Sequence, residues 1–288
     1  MKTQDEATAG RLFTPDRDRQ NENGRNENGQ CAGPELIYRK SLLYRTRVER
    51  GAYAINHVHG CSHGCKYPCY AFLMAKRFGK VRSYEEWRTP RLVGNALGLL
   101  EKEVSRKRAE ISYVHLCFST DPFMKDHPEV IELSLRIMEY LNRHRIRVAT
   151  LTKGEYPREI TENPSCHMNE YGISLVSLNE PFRHAYEPFT APYEERIRGL
   201  ERLHDAGLRT WACIEPYPPP NMVVQDIRDV LERIGFVDEI IFGKLNYNRI
   251  VQEYKHFKDF YRTCRDDVLA FCAERGIRTY VKAETDSL

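Results

Sequence analysis

The chain has 288 residues, with 44 Lys and Arg against 41 Asp and Glu and a formal charge of +3. That balance is too even to mark a nucleic-acid binder by composition, and no run approaches the roughly 18 apolar residues of a membrane span. The start, MKTQDEATAGRLFTPDRDRQ, has no apolar signal core, so a cytoplasmic address is expected, where nine cysteines point to metal or redox chemistry before disulfides.

Residues 1–34 are polar and hold NENG twice. So little apolar surface cannot offset the entropy of ordering, and a disordered tail is expected ahead of one domain over 35–288. From there β-rich runs alternate with helical ones. Expected strands are YAINHV (53–58), ISYVHLCF (111–118), IRVATLT (146–152), YGISLVS (171–177), LRTWACI (208–214), EIIFG (239–243) and IRTYV (277–281). Helical patterns lie between them at 128–144, 192–207 and 254–276, and Val130, Leu133, Ile137 and Leu141 keep helical spacing in the first. Gly207 and Gly276 stand where helix C-terminal glycines belong.

Such alternation implies parallel strands joined by right-handed crossovers. The expected fold is α/β, a partial (βα)6-type TIM barrel of parallel strands with outer helices. Ligands of these folds bind at the carboxyl ends of the strands. Six polar segments fall there: the cysteine loop, STDPF (119–123), TKGE (152–155), SLNEPF (177–182), EPYPPP (215–220) and GKLNY (243–247). Cys117 and Cys213 sit in apolar runs and read as buried small apolar residues. The basic VSRKRAE (104–110) and NRHRIR (142–147) lie near strand starts and read as solvated faces.

The loop after the first strand, HGCSHGCKYPCYA (59–71), carries Cys61, Cys65 and Cys69 as C-x3-C-x3-C. Three thiolates allow a zinc site completed by His57, His59 or His63, a redox dithiol, or an iron–sulfur cubane with one iron left open. Soft thiolates suit zinc and iron–sulfur alike, so spacing leaves these open.

GCSHGCKYPCYA resembles the cluster loop of the radical S-adenosylmethionine (radical SAM) superfamily, and in detail its spore photoproduct lyase-like branch, which reads G-C-x-H-x-C-x-Y-C-Y-A. Gly60, Cys61, His63, Cys65, Tyr67, Cys69, Tyr70 and Ala71 match in order, with Asn56 ahead of them. STDPF resembles the branch's second-strand signature, LTKG its third, and GISLVSLNEPFRHAYEP the stretch after; the likeness runs from about residue 50 to about 245. The departure is Pro68, since the family loop is C-x3-C-x2-C. Proline fixes its own φ and pushes Tyr67 out of the helical region. The insertion is therefore expected to form a small bulge that still delivers Cys69, the other reading being a lost or altered cluster.

The resemblance implies a 4Fe-4S cluster on Cys61, Cys65 and Cys69 that chelates S-adenosylmethionine. Reduced by an external donor of the flavodoxin or ferredoxin type, it would cleave that cofactor to a 5′-deoxyadenosyl radical for hydrogen abstraction. The same resemblance places Ser119 and Lys153 at the amino-acid part of S-adenosylmethionine, Ser174 near its ribose or carboxylate, and Tyr67 and Tyr70 beside the adenine and cluster. A lysine at a strand end also suits a carboxylate in a desolvated cleft.

Glu215 reads as a cofactor or substrate contact or as a rim group, and Asp121 as a site residue or a helix cap. Lys244, Asn246, Tyr247 and Arg249 read as substrate-facing or as an ordinary loop. His57 and His59 are expected on one face beside the cluster, and Arg183 with Glu187 as a local ion pair. The substrate is open among small molecule, peptide and nucleic acid. Cys264 and Cys272 fall in a helical pattern away from any strand end, so a nucleic-acid-lesion lyase reaction is not carried over. It stands as an alternative, beside a non-enzymatic zinc or Fe-S binding barrel.

Overall fold

Alternating side chains decide how the sheet divides the molecule. In the computed structural model, which describes residues 35–46, 53–246 and 248–288, the strands are β1 (Leu36–Ile37), β2 (Leu43–Arg45), β3 (Tyr53–Ile55), β4 (Val58–His59), β5 (Arg91–Val93), β6 (Tyr113–Leu116), β7 (Arg147–Thr152), β8 (Glu170–Ser174), β9 (Arg209–Tyr217), β10 (Glu239–Lys244) and β11 (Arg278–Val281). The tail expected at 1–34 and Tyr247 lie outside the described residues. The helices are α1 (Tyr70–Arg77), α2 (Tyr84–Arg88), α3 (Ala96–Lys107), α4 (Pro128–Arg143), α5 (Glu159–Glu162), α6 (Glu180–Tyr186), α7 (Tyr193–Asp205), α8 (Ile227–Arg233), α9 (Arg249–Glu253), α10 (Phe257–Arg275) and α11 (Ala283–Asp286).

The main sheet runs β11-β10-β9-β8-β7-β6-β3-β2. Every pair from β3 to β11 is parallel, and β2 pairs antiparallel with β3 at the edge. This is the α/β partial barrel, with β11 as a seventh parallel strand. Along each strand one set of side chains (Val148, Tyr171, Ile173, Ile214, Phe242) joins Ile137, Leu141, Ile197, Leu200 and Val268 of the helices in one buried core. The opposite set faces the interior. There Leu151, Gly172 and Trp211 share one level, and Ser174, Cys213, Ile241 and Tyr280 the next. Trp211, Cys213 and Ile241 pack with Leu151 as a separate apolar floor. Gly172 makes that floor possible, because a Cβ there would stand 2.3 Å from the indole of Trp211.

The structure divides YAINHV. β3 joins the main sheet, whereas β4 pairs with β5 in a three-stranded sheet β1-β5-β4. His57, between them, is fully buried: Nε2 is 2.9 Å from Ser134 Oγ on α4, and Nδ1 is 3.3 Å from Cys117 Sγ. Burial depresses its pKa to about 3. His59 instead has Nδ1 3.1 Å from Arg91 Nη2 and meets Trp87 edge-on. The two histidines thus serve different neighbours rather than one face, because the chain leaves the barrel between them to enter the cysteine loop.

Candidate active site

The cysteine loop crosses the carboxyl ends of the strands. Gly60 enters it with φ of +90°, and a Cβ there would lie 2.6 Å from the Trp87 carbonyl, which accepts from Cys61 N at 2.8 Å. Lys66, Tyr67 and Pro68 form a turn, and Cys69 then stands as the extended N-cap of α1. The residue inserted relative to C-x3-C-x2-C is absorbed in that turn, and Cys61, Cys65 and Cys69 all line one cavity of about 610 Å³.

Two acids tie this loop to the strand ends. Buried Asp121 accepts from Phe123 N (2.8 Å), Thr152 Oγ1 (2.7 Å) and Lys153 N (2.8 Å), and its Oδ2 is 2.9 Å from Nε2 of His63, an electrostatic contact off hydrogen-bond alignment. Burial acts to raise its pKa, but His63 and these donors outweigh it and hold the carboxyl below its ordinary value. It caps no helix, since α4 begins only at Pro128; it locks the loop to β6 and β7. Glu187, just after α6, accepts from Lys153 Nζ (2.6 Å), Arg196 Nη2 (2.9 Å) and Tyr67 Oη. Burial opposes its charge, yet Lys153 and Arg196 hold the pKa at about 2. The expected Arg183–Glu187 pair is not formed: Arg183 pairs with Glu180, because the helical turn aims its side chain back one turn rather than into the barrel.

Lys153 also donates to Ser174 Oγ at 2.8 Å and lies 5.7 Å over the Tyr67 ring. Of Lys153, Arg196 and Glu187, Lys153 is the one that lines the cavity. Ser119 lines the same cavity with its N–H bonded to Asn56 Oδ1 at 3.1 Å, and Tyr70 Oη donates to the Phe118 carbonyl at 2.5 Å. The structure thus brings Tyr67, Tyr70, Ser119, Lys153, Ser174 and Glu215 to one cavity with the three cysteines.

A model of the radical SAM superfamily matches residues 55–234. The chain belongs to the radical SAM superfamily. Among curated proteins it is 26% identical over 227 residues to an uncharacterized protein of Methanocaldococcus jannaschii, covering 77% of this chain and 80% of that one. An uncharacterized protein of Acidianus two-tailed virus is 26% identical over 240 residues, covering 75% and 76%. Among solved structures, spore photoproduct lyase complexed with dinucleoside spore photoproduct shares the fold at a TM-score of 0.62 and 15% identity, over 85% of this chain and 80% of that one. A variant of that lyase with bound AdoMet gives 0.61 at 16% identity over the same shares. This radical SAM enzyme, of unresolved substrate, therefore has a 4Fe-4S cluster and S-adenosylmethionine as its cofactors.

The loop chemistry fits the cluster. Burial pushes all three thiols up, Cys65 to about 12, and Cys61 is raised further by Asp121, Cys65 and Cys69. Thiolates so close together need added positive charge, which iron supplies. Backbone N–H groups of Phe72 and Ala71 favour the thiolate of Cys69, as expected at a helix N-terminus. Among the described residues no three His, Cys, Asp or Glu side chains group tightly enough for a single metal ion; a cubane takes its thiolates at separate corners.

The far wall of the cavity departs from the sequence reading. Cys213 is buried in the apolar floor of the cavity, whereas Cys117, though it also lines the cavity, packs in the helix-side core as a buried small residue, and burial raises both thiols to about 12. Cys117 has φ of 58°, a left-handed turn at the end of β6. Strand parity held the missed signal, since Cys213 lies two residues from Trp211 and Glu215 and shares their face. Glu215 lies inside β9 rather than beyond it, with Oε2 3.3 Å from Lys282 Nζ. Lys244 donates to Asn246 Oδ1 at 2.6 Å, and both line the cavity. Arg249 opens α9 and pairs with Glu253 on the exposed surface, away from the cavity lining. Cys264 and Cys272 are buried on α10. No helix among the described residues is long and apolar enough to cross a membrane.

Proposed function

We propose that Cys61, Cys65 and Cys69 hold the 4Fe-4S cluster and that the enzyme cleaves S-adenosylmethionine reductively to abstract hydrogen from its substrate. The observation that carries this is the meeting of three thiols, Lys153 and Ser174 in one cavity despite the Pro68 insertion. When bound, the cofactors supply a 5′-deoxyadenosyl radical; the chain supplies position and dryness. Lys153, the cation of that network that reaches the cavity, takes the S-adenosylmethionine carboxylate. Ser119 and Ser174 hold the amino-acid and ribose groups. Tyr67 and Tyr70 shield the thiols from water, and Glu215 bounds the site toward β11. A reductant outside this chain delivers the electron.

The deciding experiment is anaerobic reconstitution with iron and sulfide, reduction, and measurement of 5′-deoxyadenosine beside a Cys69→Ala control. Nucleoside from the wild type, lost in the variant, is expected; zinc bound and no nucleoside would sink the reading. A second reading, a lyase outcome in which the substrate radical takes hydrogen back from the protein, is favoured by one observation: the thiol of Cys213, its pKa raised by burial, sits in the cavity floor.

A further inference from the structure

The helix that begins at Cys69 is turned the wrong way round for a surface helix. α1 buries Ala71 and Ala75, while Tyr70, Leu73, Met74 and Phe78 at its outer side are 46%, 41%, 43% and 63% exposed. Positions 70, 73, 74 and 78 fall on one helical stripe. Phe72 packs inward with the two alanines against Trp87, so the apolar side chains left outside form a second face, one that meets a partner. The surrounding charge is one-sided: from Lys66 to Arg82 the sequence holds Lys66, Lys76, Arg77, Lys80 and Arg82 and no Asp or Glu. All five cations are exposed, and among the described residues none has a side-chain ion pair, with the Glu86 carboxylate on Arg82 N at 2.7 Å marking the edge of the group. The stripe is continuous with the active site, because Tyr70 lines the cavity and Cys69 is the N-cap of α1.

We propose that this face of α1 docks the enzyme's electron donor, an acidic one-electron carrier protein of the ferredoxin or flavodoxin class. The proposal rests on Cys69 being a cluster ligand. Lys66, Lys76, Arg77 and Lys80 steer an acidic surface to the stripe, and Leu73, Met74 and Phe78 give the short-range contact, with Met74 adaptable to a partner's shape. The step is a single-electron transfer: the donor's redox centre loses one electron, the cluster gains it, and no proton moves. Covalent continuity from the docking helix through Cys69 gives that electron a short path. A nucleic acid is a poorer fit, because aliphatic Leu73 and Met74 at the centre of the stripe neither stack on bases nor bond phosphate.

The test uses the full chain with two exposed double variants, K76E/R77E and M74S/F78S. Calorimetry measures their binding to an acidic two-cluster ferredoxin at low and high salt. In parallel, 5′-deoxyadenosine formation is followed with dithionite and with reduced ferredoxin. Both variants are expected to bind ferredoxin about tenfold more weakly, K76E/R77E with a flatter salt dependence. Ferredoxin-driven turnover should fall by the same factor and dithionite-driven turnover stay within about twofold of wild type. Unchanged ferredoxin binding in both variants overturns the docking face. Equal losses with both reductants, or a single-stranded oligonucleotide bound more tightly than ferredoxin and released by the same variants, overturn it too. If the wild type forms no nucleoside with dithionite, the cluster assignment itself fails, and the proposal with it.

Discussion

The two sides of the cavity are built to different rules. On the β6–β8 side, Asp121, Glu187 and Arg196 are buried and every one is held by several partners at 2.6–2.9 Å. On the β9–β11 side, Glu215 meets Lys282 at 3.3 Å and Lys244 meets Asn246, on side chains that keep partial contact with solvent. A buried network fixes geometry, which suits a cofactor that never changes; long, partly solvated side chains adapt, which suits a substrate.

The sharpest way to break that comparison is Glu187→Gln. It leaves Arg196 and Lys153 without their shared anion, and an uncompensated buried charge costs about 3–5 kcal/mol; denaturant unfolding should show it, with S-adenosylmethionine binding lost as well. Because the Glu187 pKa lies at about 2, below its usual 4.5, its contribution is full above pH 4.5 and lost as pH falls toward 2. Gly172→Ala drives a methyl into Trp211 and should cost about 1–3 kcal/mol by overpacking, with the indole fluorescence shifted. His57 titrates the other way. Its pKa falls from 6.5 to about 3, so the unfolded chain takes up the proton first and stability declines as pH drops below 6.5. Between pH 6.5 and 4.5 that decline should reach about 2 kcal/mol and flatten in His57→Gln, measured by unfolding at each pH. Smallest is Lys282→Met: under about 1 kcal/mol of stability and an unchanged affinity for S-adenosylmethionine. If equilibrium binding instead falls as far as in Lys153→Met, the two sides do not differ in the way described.

The same asymmetry governs what could be read without coordinates. Strand–helix alternation fixed the barrel because parallel strands and amphipathic helices leave period-2 and period-3.6 traces. The cysteines, Ser119, Lys153 and Ser174 were legible because each closes a strand end within a recognisable motif. Glu187 and Arg196 were not paired in advance. Their link joins the end of α6 to the first turns of α7 and to a lysine 34 residues away, a contact that no local pattern carries. Nor was the place of Cys213 in the cavity floor read in advance, although its strand parity with Trp211 carried it. YAINHV read as one strand because the division at His57 depends on Ser134 of α4, far along the chain.

One consequence follows from how the cysteine loop is fastened. The backbone N–H groups of Cys61 and Lys66 and the side chains of His63 and Tyr67 tie it to Trp87, Tyr186, Asp121 and Glu187, and none of those attachments uses sulfur. These fastenings and the proposed ligand sulfurs thus use separate atoms of the loop. A chain bearing serine in place of all three thiols keeps every fastening, and would serve as a shape-matched blank against which metal uptake is counted.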